Sequence, residues 1–243
     1  RPAFKACVVN GLILAADGKK MSKSLRNYTD PMKVMQEFGA DALRIFLMNS
    51  GATRADDLCY TDDGVKDVIK SILLPLWSAY GFFITYANID SISPTEAGSD
   101  GQNPMDRWIL SVCETMVRDV GSALEAYDMQ GAIAPMLNFI DALNNWYIRR
   151  SRRRFWRAGG DEDKVQAYAV LYRVLKRLAL CLAPVAPFIS EAMWQNLRRT
   201  DDAQSVHLAS YPVYDNRYRD EELEWKMATV RKAVSMGRAL RYQ

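Results

Sequence analysis

The stretch Lys20-Met21-Ser22-Lys23-Ser24 places two lysines and two serines around one methionine. A short apolar run (residues 7–14) and an Asp-Gly turn pair (residues 17–18) precede it, and a helix-start signal, Thr-Asp-Pro (residues 29–31), follows it. This order predicts a strand, a tight turn, a mobile cationic loop and a helix. Lysine ammoniums and serine hydroxyls suit phosphate oxygens and a transition state that gathers negative charge. Taken alone, the loop indicates a weak phosphate contact, and a solvated basic loop is the alternative.

The five letters Lys-Met-Ser-Lys-Ser are identical to the second signature motif of the class I aminoacyl-tRNA synthetases. The surrounding sequence, from residues 10–14 through residues 17–19 to Asn27, resembles the isoleucyl, valyl and leucyl members of that class. The resemblance also implies ATP as a substrate and Mg²⁺ that arrives with ATP in the full enzyme. It implies an ATP-binding loop, with both lysines catalytic, made of Lys20, Met21, Ser22, Lys23 and Ser24.

Length and composition are those of a globular protein: 243 residues, 49% hydrophobic and 25% charged, enough for one apolar core or two. No run approaches the ~20 apolar residues that cross a bilayer, so we expect no membrane partner. The first residues do not resemble a signal peptide, and we therefore expect a cytoplasmic protein.

The four cysteines, at positions 7, 59, 113 and 181, are far apart, and His207 is the single histidine. No Cys-x-x-Cys pair occurs, so the sequence predicts no zinc site and no other metal site. We expect reduced thiols that are mostly buried.

The net charge of +3 conceals two basic clusters. Residues 1–26 carry six basic side chains and one acid, whereas residues 149–157 carry six arginines and no acid. The remainder of the chain is therefore acidic. Two basic patches on an acidic body predict polyanion contacts at two places.

Apolar residues recur at helical spacing almost throughout the chain from residue 62 onward. The predicted fold is mainly α: a helical bundle preceded by a small α/β remnant. By resemblance, residues 1–60 are the last part of a class I catalytic domain with its connecting helices. Residues 61–243 are a helical anticodon-binding domain, truncated at its C-terminal end.

Helix boundaries follow from capping residues. Asp30 is expected to cap a helix that starts at Pro31 and ends at Gly39, and Asp41 is expected to cap the next one. Pro75 is expected to kink the first long helix. Residues 90–103 form a polar segment that predicts a flexible linker.

A second candidate site is the arginine-rich end of a long helix that we predict from about Gln130 to Trp156. Arginines on all sides of one helix cannot pack, so we expect this end to project from the bundle or to meet a partner. Six arginines in nine residues, interleaved with aromatic side chains, favour an RNA-facing surface over a solvated helix end. The predicted contacts are Arg149, Arg150, Arg152, Arg153, Arg154 and Trp156.

The segment Asn145-Trp146-Tyr147-Ile148-Arg149-Arg150 resembles the isoleucyl branch more than the valyl or leucyl one. The resemblance thus implies a fragment of an isoleucine–tRNA ligase, a monomer that acts on ATP, isoleucine and the isoleucine isoacceptor of transfer RNA. The fragment alone is expected to be inactive, because the other class signature, His-Ile-Gly-His, does not occur in it. The alternatives are a valyl or leucyl enzyme, or a helical RNA-binding or interaction module without chemistry.

Overall fold

A small strand pair and a large bundle of helices make up the part of the chain that the computed structural model describes, residues 3–93, 95, 101–157, 159 and 161–241. The elements in that part are β1 (Ile13–Leu14), α1 (Pro31–Phe38), α2 (Ala40–Met48), β2 (Leu58–Cys59), α3 (Asp62–Val68), α4 (Leu74–Ile89), α5 (Pro104–Glu125), α6 (Met129–Asp141), α7 (Arg149–Trp156), α8 (Glu162–Leu182), α9 (Pro187–Leu197) and α10 (Glu221–Arg241). The predicted fold class, a helical bundle after a small α/β segment, is confirmed.

The two strands pair in parallel, with Ile13 opposite Leu58 and Leu14 opposite Cys59. Parallel strands need a crossover connection, and α1 and α2 lie between them in the chain. The sequence predicted the first strand over a longer range and did not predict β2. A two-residue strand is too short to show the alternation of apolar and polar residues by which strands are recognised.

Capping explains how the amino-terminal helices begin and end. The Asp30 carboxylate accepts the Met32 N–H at 2.8 Å, and Gly39, with φ of 84°, ends α1 as predicted. The prediction that Asp41 caps its own helix is wrong, because Asp41 lies within the first turn of α2.

Asp41 instead caps a helix that lies far away in the sequence. Its carboxylate accepts the backbone N–H groups of Phe188 at 3.3 Å and Ile189 at 2.7 Å, in the first turn of α9. The cap position of α9 itself is Ala186, which has no side-chain acceptor. One buried carboxylate therefore fastens the amino-terminal segment to the helical bundle.

Two π-helical segments join helices that the sequence predicted as continuous. Residues Ile69–Leu73 connect α3 to α4, so the departure from regular α-helix begins six residues before Pro75, where the distortion was expected. Residues Ala142–Ile148 connect α6 to α7, and the predicted long helix is thus one helical path. Of the predicted linker at 90–103, residues 94 and 96–100 lie outside the described residues.

One described helical stretch, Asp62–Ile89, is long and apolar enough to cross a membrane by length and composition. The expectation that no such stretch exists is therefore wrong on that criterion. The stretch buries Val65, Ile72, Leu76 and Phe83 in the bundle, which is how the core helix of a bundle packs.

One large apolar core runs through the described residues from α1 to α9, and Ala183, Trp194 and Val206 form a small separate cluster. Val34 and Ile45, from the amino-terminal helices, belong to the same cluster as Phe139 and Leu175. Two of the four cysteines, Cys113 and Cys181, are buried, and the other two are exposed. The expectation of mostly buried thiols therefore holds for only half of them.

A buried ion pair lies where α5, α7 and α8 meet. Arg154 donates two hydrogen bonds to Asp106, from Nη1 at 2.7 Å and from Nη2 at 2.8 Å, and two more bonds of 3.0 and 2.7 Å to the Asp163 carboxylate. Tyr147 also donates to Asp106, at 2.7 Å. Asp106 is 0% exposed and Arg154 is 7% exposed. Burial lowers the pKa of the Arg154 guanidinium, but its bonds to the two carboxylates outweigh burial and raise that pKa.

Replacing Arg154 by methionine should destabilise the fold by about 3–5 kcal/mol, because the Asp106 carboxylate would remain buried without its cationic partner. Arg153→Met is the matched control, since Arg153 is exposed and should change stability by less than about 0.5 kcal/mol. The free energy of unfolding in urea measures both variants. Equal, small losses in the two would contradict the structural role of Arg154.

Candidate nucleotide loop and nucleic-acid interface

The loop at residues 20–24 is held in shape by a backbone bridge to Leu14 and by the side chain of Asn27. Lys20 bridges Leu14 in antiparallel fashion, and Gly18, with φ of 77°, forms the turn before it. Asn27 spans the loop: its Oδ1 accepts the Ser22 N–H at 2.9 Å, and its Nδ2 donates to the Lys20 carbonyl at 3.1 Å. The sequence analysis assigned no such role to Asn27, because a residue's hydrogen-bond partners cannot be read from its spacing.

The loop presents polar groups to solvent and an apolar group to the protein. Lys20 and Lys23 are exposed, and neither ammonium forms an ion pair with a described residue. The Ser22 and Ser24 hydroxyls lie 2.7 Å apart. Met21 points inward and lines an apolar cavity of about 250 Å³ beneath the loop. Two free ammoniums beside two hydroxyls form a donor set that suits phosphate oxygens.

The arginines of α7 fall into two groups with different surroundings. Arg149, Arg150, Arg152 and Arg153, here called the arginine ridge, are exposed. None of the four pairs with an acid among the residues that the structure describes. Arg154 turns inward to Asp106 and Asp163, so its guanidinium is occupied.

The structure places Arg154, predicted as an RNA contact, against Asp106 and Asp163, with its guanidinium bonded to both carboxylates. The helix α7 does not project from the bundle, and the other expectation, that it meets a partner, stays a prediction. Phe155, 1% exposed, packs against Phe82 and Tyr168 with ring centroids 5.2 and 5.0 Å away. The helix packs because its inward arginine is bonded to the fully buried Asp106 and to the partly exposed Asp163. A helical projection of α7 alone cannot reveal these partners.

Trp156 lies at the end of the ridge. Its ring is 54% exposed, with the Arg152 guanidinium 6.0 Å from its centroid and the Tyr86 ring 6.5 Å away. An exposed indole with a cation beside it is a surface on which an unpaired base can stack.

A groove of about 480 Å³ extends the ridge toward α10. It contains four arginines and one aspartate. Two of these arginines, Arg231 and Arg238, were not predicted from the sequence as part of the site. No sequence signal links them to the ridge, because α10 lies about 80 residues further along the chain and reaches the ridge only through folding. The residues that line the groove are Asp141, Asn145, Trp146, Arg149, Arg150, Arg231, Val234, Ser235 and Arg238.

No group of three His, Cys, Asp or Glu side chains is arranged to hold a metal ion within the described ranges.

Comparison with known proteins agrees with this arrangement. Residues 1–58 match the family model for class I tRNA synthetases of the isoleucine, leucine, methionine and valine group, and residues 106–243 match that of the anticodon-binding domain of tRNA ligases. A crystal structure of a ternary complex of an Agrobacterium radiobacter leucyl-tRNA synthetase has the same fold over 87% of this chain and 24% of its own, with a TM-score of 0.66 at 24% identity.

Curated relatives are more similar in sequence to this chain than the leucyl-tRNA synthetase of the crystal structure is. The isoleucine–tRNA ligase of Treponema denticola is 61% identical over the whole chain, and that of Protochlamydia amoebophila is 47% identical over 99% of it. The chain spans about a quarter of the length of these relatives, 23% in both cases. The resemblance to class I synthetases is thus confirmed, and the chain belongs to the anticodon-binding domain family of tRNA ligases, preceded by a segment of the class I synthetase family.

Proposed function

We propose that the chain is part of an isoleucine–tRNA ligase, which activates isoleucine with ATP, releases pyrophosphate and transfers the aminoacyl group to transfer RNA. The observation that carries the proposal is the 61% identity to such an enzyme over the whole chain. Residues 1–60 are the end of the catalytic domain, and residues 61–243 are the RNA-binding domain. Activation needs the longer protein, because amino acid, adenosine and phosphates must be held in one geometry.

In this proposal Lys20 and Lys23 hold the ATP triphosphate during activation. Their ammoniums form no ion pair with a described residue, and the same loop carries the hydroxyls of Ser22 and Ser24. Met21 anchors the loop through its apolar side chain. Mg²⁺ arrives with the nucleotide and offsets phosphate charge, whereas the lysines orient the phosphates and stabilise the charge that develops as pyrophosphate leaves.

The arginine ridge contacts backbone phosphates around the anticodon arm of the isoleucine transfer RNA. Arginine forks match phosphate oxygens, and the ridge arginines have no competing acid within the described part of the chain. Trp156 stacks on an unpaired base. The enzyme acts as a monomer in the cytoplasm.

Lys23→Ala in the longest natural protein that contains this chain should lower isoleucine-dependent pyrophosphate exchange by about 10²–10³-fold, because a charge that acts mainly in the transition state is lost. Lys33→Ala, an exposed lysine on the adjoining helix α1, is the control and should leave exchange unchanged. The 243-residue chain alone should show no exchange. Near-normal exchange in Lys23→Ala would remove the catalytic role of that lysine.

The double variant Arg152→Ala, Arg153→Ala should weaken transfer-RNA binding and flatten its salt dependence by about one unit of slope per lost phosphate contact. Filter binding at several salt concentrations measures both quantities. Arg198→Ala with Arg199→Ala removes two exposed arginines after α9 and is the matched control. Unchanged affinity and slope in the ridge variant would show that the ridge is only solvated, and an equal loss in the control would show a general charge effect.

A further inference from the structure

The groove beside the arginine ridge contains one acid, Asp141, and both of its carboxylate oxygens are in use. Oδ1 accepts Asn145 Nδ2 at 2.7 Å, and Oδ2 accepts Arg231 Nη2 at 2.5 Å. The Asp141 side chain is 49% exposed, so it lies at the solvent-facing side of the groove and not in the core.

Arg231 is held more firmly than the other groove arginines. Its guanidinium lies 5.9 Å from the Trp108 ring and 5.7 Å from the Trp146 ring. Trp108 is 1% exposed, so one of these rings belongs to the rigid core. Arg149, Arg150 and Arg238 also line the groove, and none of them has an ion-pair partner among the residues that the structure describes.

We infer that the Asp141 carboxylate is an internal competitor for RNA, occupying the position on Arg231 that a backbone phosphate would take. This inference rests on the proposed RNA contact at the ridge. A carboxylate and a phosphate oxygen accept the same kind of guanidinium bond, so the two anions compete for Arg231 Nη2. A phosphate that enters the groove displaces Asp141 and then faces its unpaired negative charge.

The consequence is a penalty on every RNA that enters the groove. Like charges brought together at an interface suppress binding by partners that make too few other contacts to compensate. The four groove arginines would attract any polyanion, and Asp141 limits that attraction. Asp141 therefore sets the affinity of the groove for RNA, and an RNA must make enough other contacts to overcome this penalty.

The test is Asp141→Asn in the full chain, with transfer RNA as the probe. The amide keeps an oxygen for Arg231 and removes the charge, so binding should tighten by roughly threefold to tenfold and the salt slope should steepen by about one unit. An unrelated RNA of the same length should gain as well. Asp141→Asn combined with Arg231→Met should lose the gain, because the methionine side chain fills the space between the tryptophans without binding phosphate.

Asp119→Asn is the matched control. Asp119 is 41% exposed and pairs with Arg118 at 2.8 Å, but it lies about 16 Å further along α5 than Trp108. An equal gain in Asp119→Asn would contradict the inference, since any added positive charge would then suffice. Unchanged or weaker RNA binding in Asp141→Asn would also overturn the inference. If the ridge variant Arg152→Ala, Arg153→Ala still binds RNA more weakly in that case, the proposed function remains intact. No change in any of these variants would contradict both.

Discussion

The bond between Arg154 and Asp106 determines how α7 sits in this protein. Asp106 is fully buried near the start of α5, so it requires a cation, and Arg154 is the residue that reaches it. With Arg154 fixed inward, helical geometry directs Arg149 and Arg152 to the opposite side of α7. Arg150 and Arg153 are exposed as well. The same contact therefore stabilises the bundle and orients the ridge.

The basic side chains of the protein fall into two groups: those paired with acids inside the fold, and those exposed to solvent and able to bind phosphate. Arg154 is paired with the buried Asp106, and the buried Lys164 lies 2.7 Å from the partly exposed Asp90. The ridge and the loop at residues 20–24 keep their cations exposed, about 125 residues apart in the sequence. The large apolar core contains side chains from both regions, and Asp41 caps α9 from the amino-terminal segment. Phosphate contacts at the loop and RNA contacts at the ridge can thus be held by one rigid scaffold.

Local sequence was sufficient wherever a structural feature depends on neighbouring residues. Asp30 and Pro31 predict the start of α1, and the loop motif predicts where the free lysines lie. Features that join distant segments could not be predicted in this way. Asp41 was assigned to its own helix because nothing local reveals that α9 lacks a cap, and Arg154 was assigned to RNA because its acids lie on α5 and α8. The groove was missed for the same reason.

We propose that the outward arginines of α7 and the facing side of α10 form one RNA surface. Ultraviolet cross-linking of transfer RNA to the chain, followed by mass spectrometry of the linked peptides, tests it directly. We expect cross-links in the peptides that contain residues 149–156 and 231–238, with Trp156 among the linked side chains. Cross-links confined to other faces, such as residues 198–200, with none at Trp156, would contradict it.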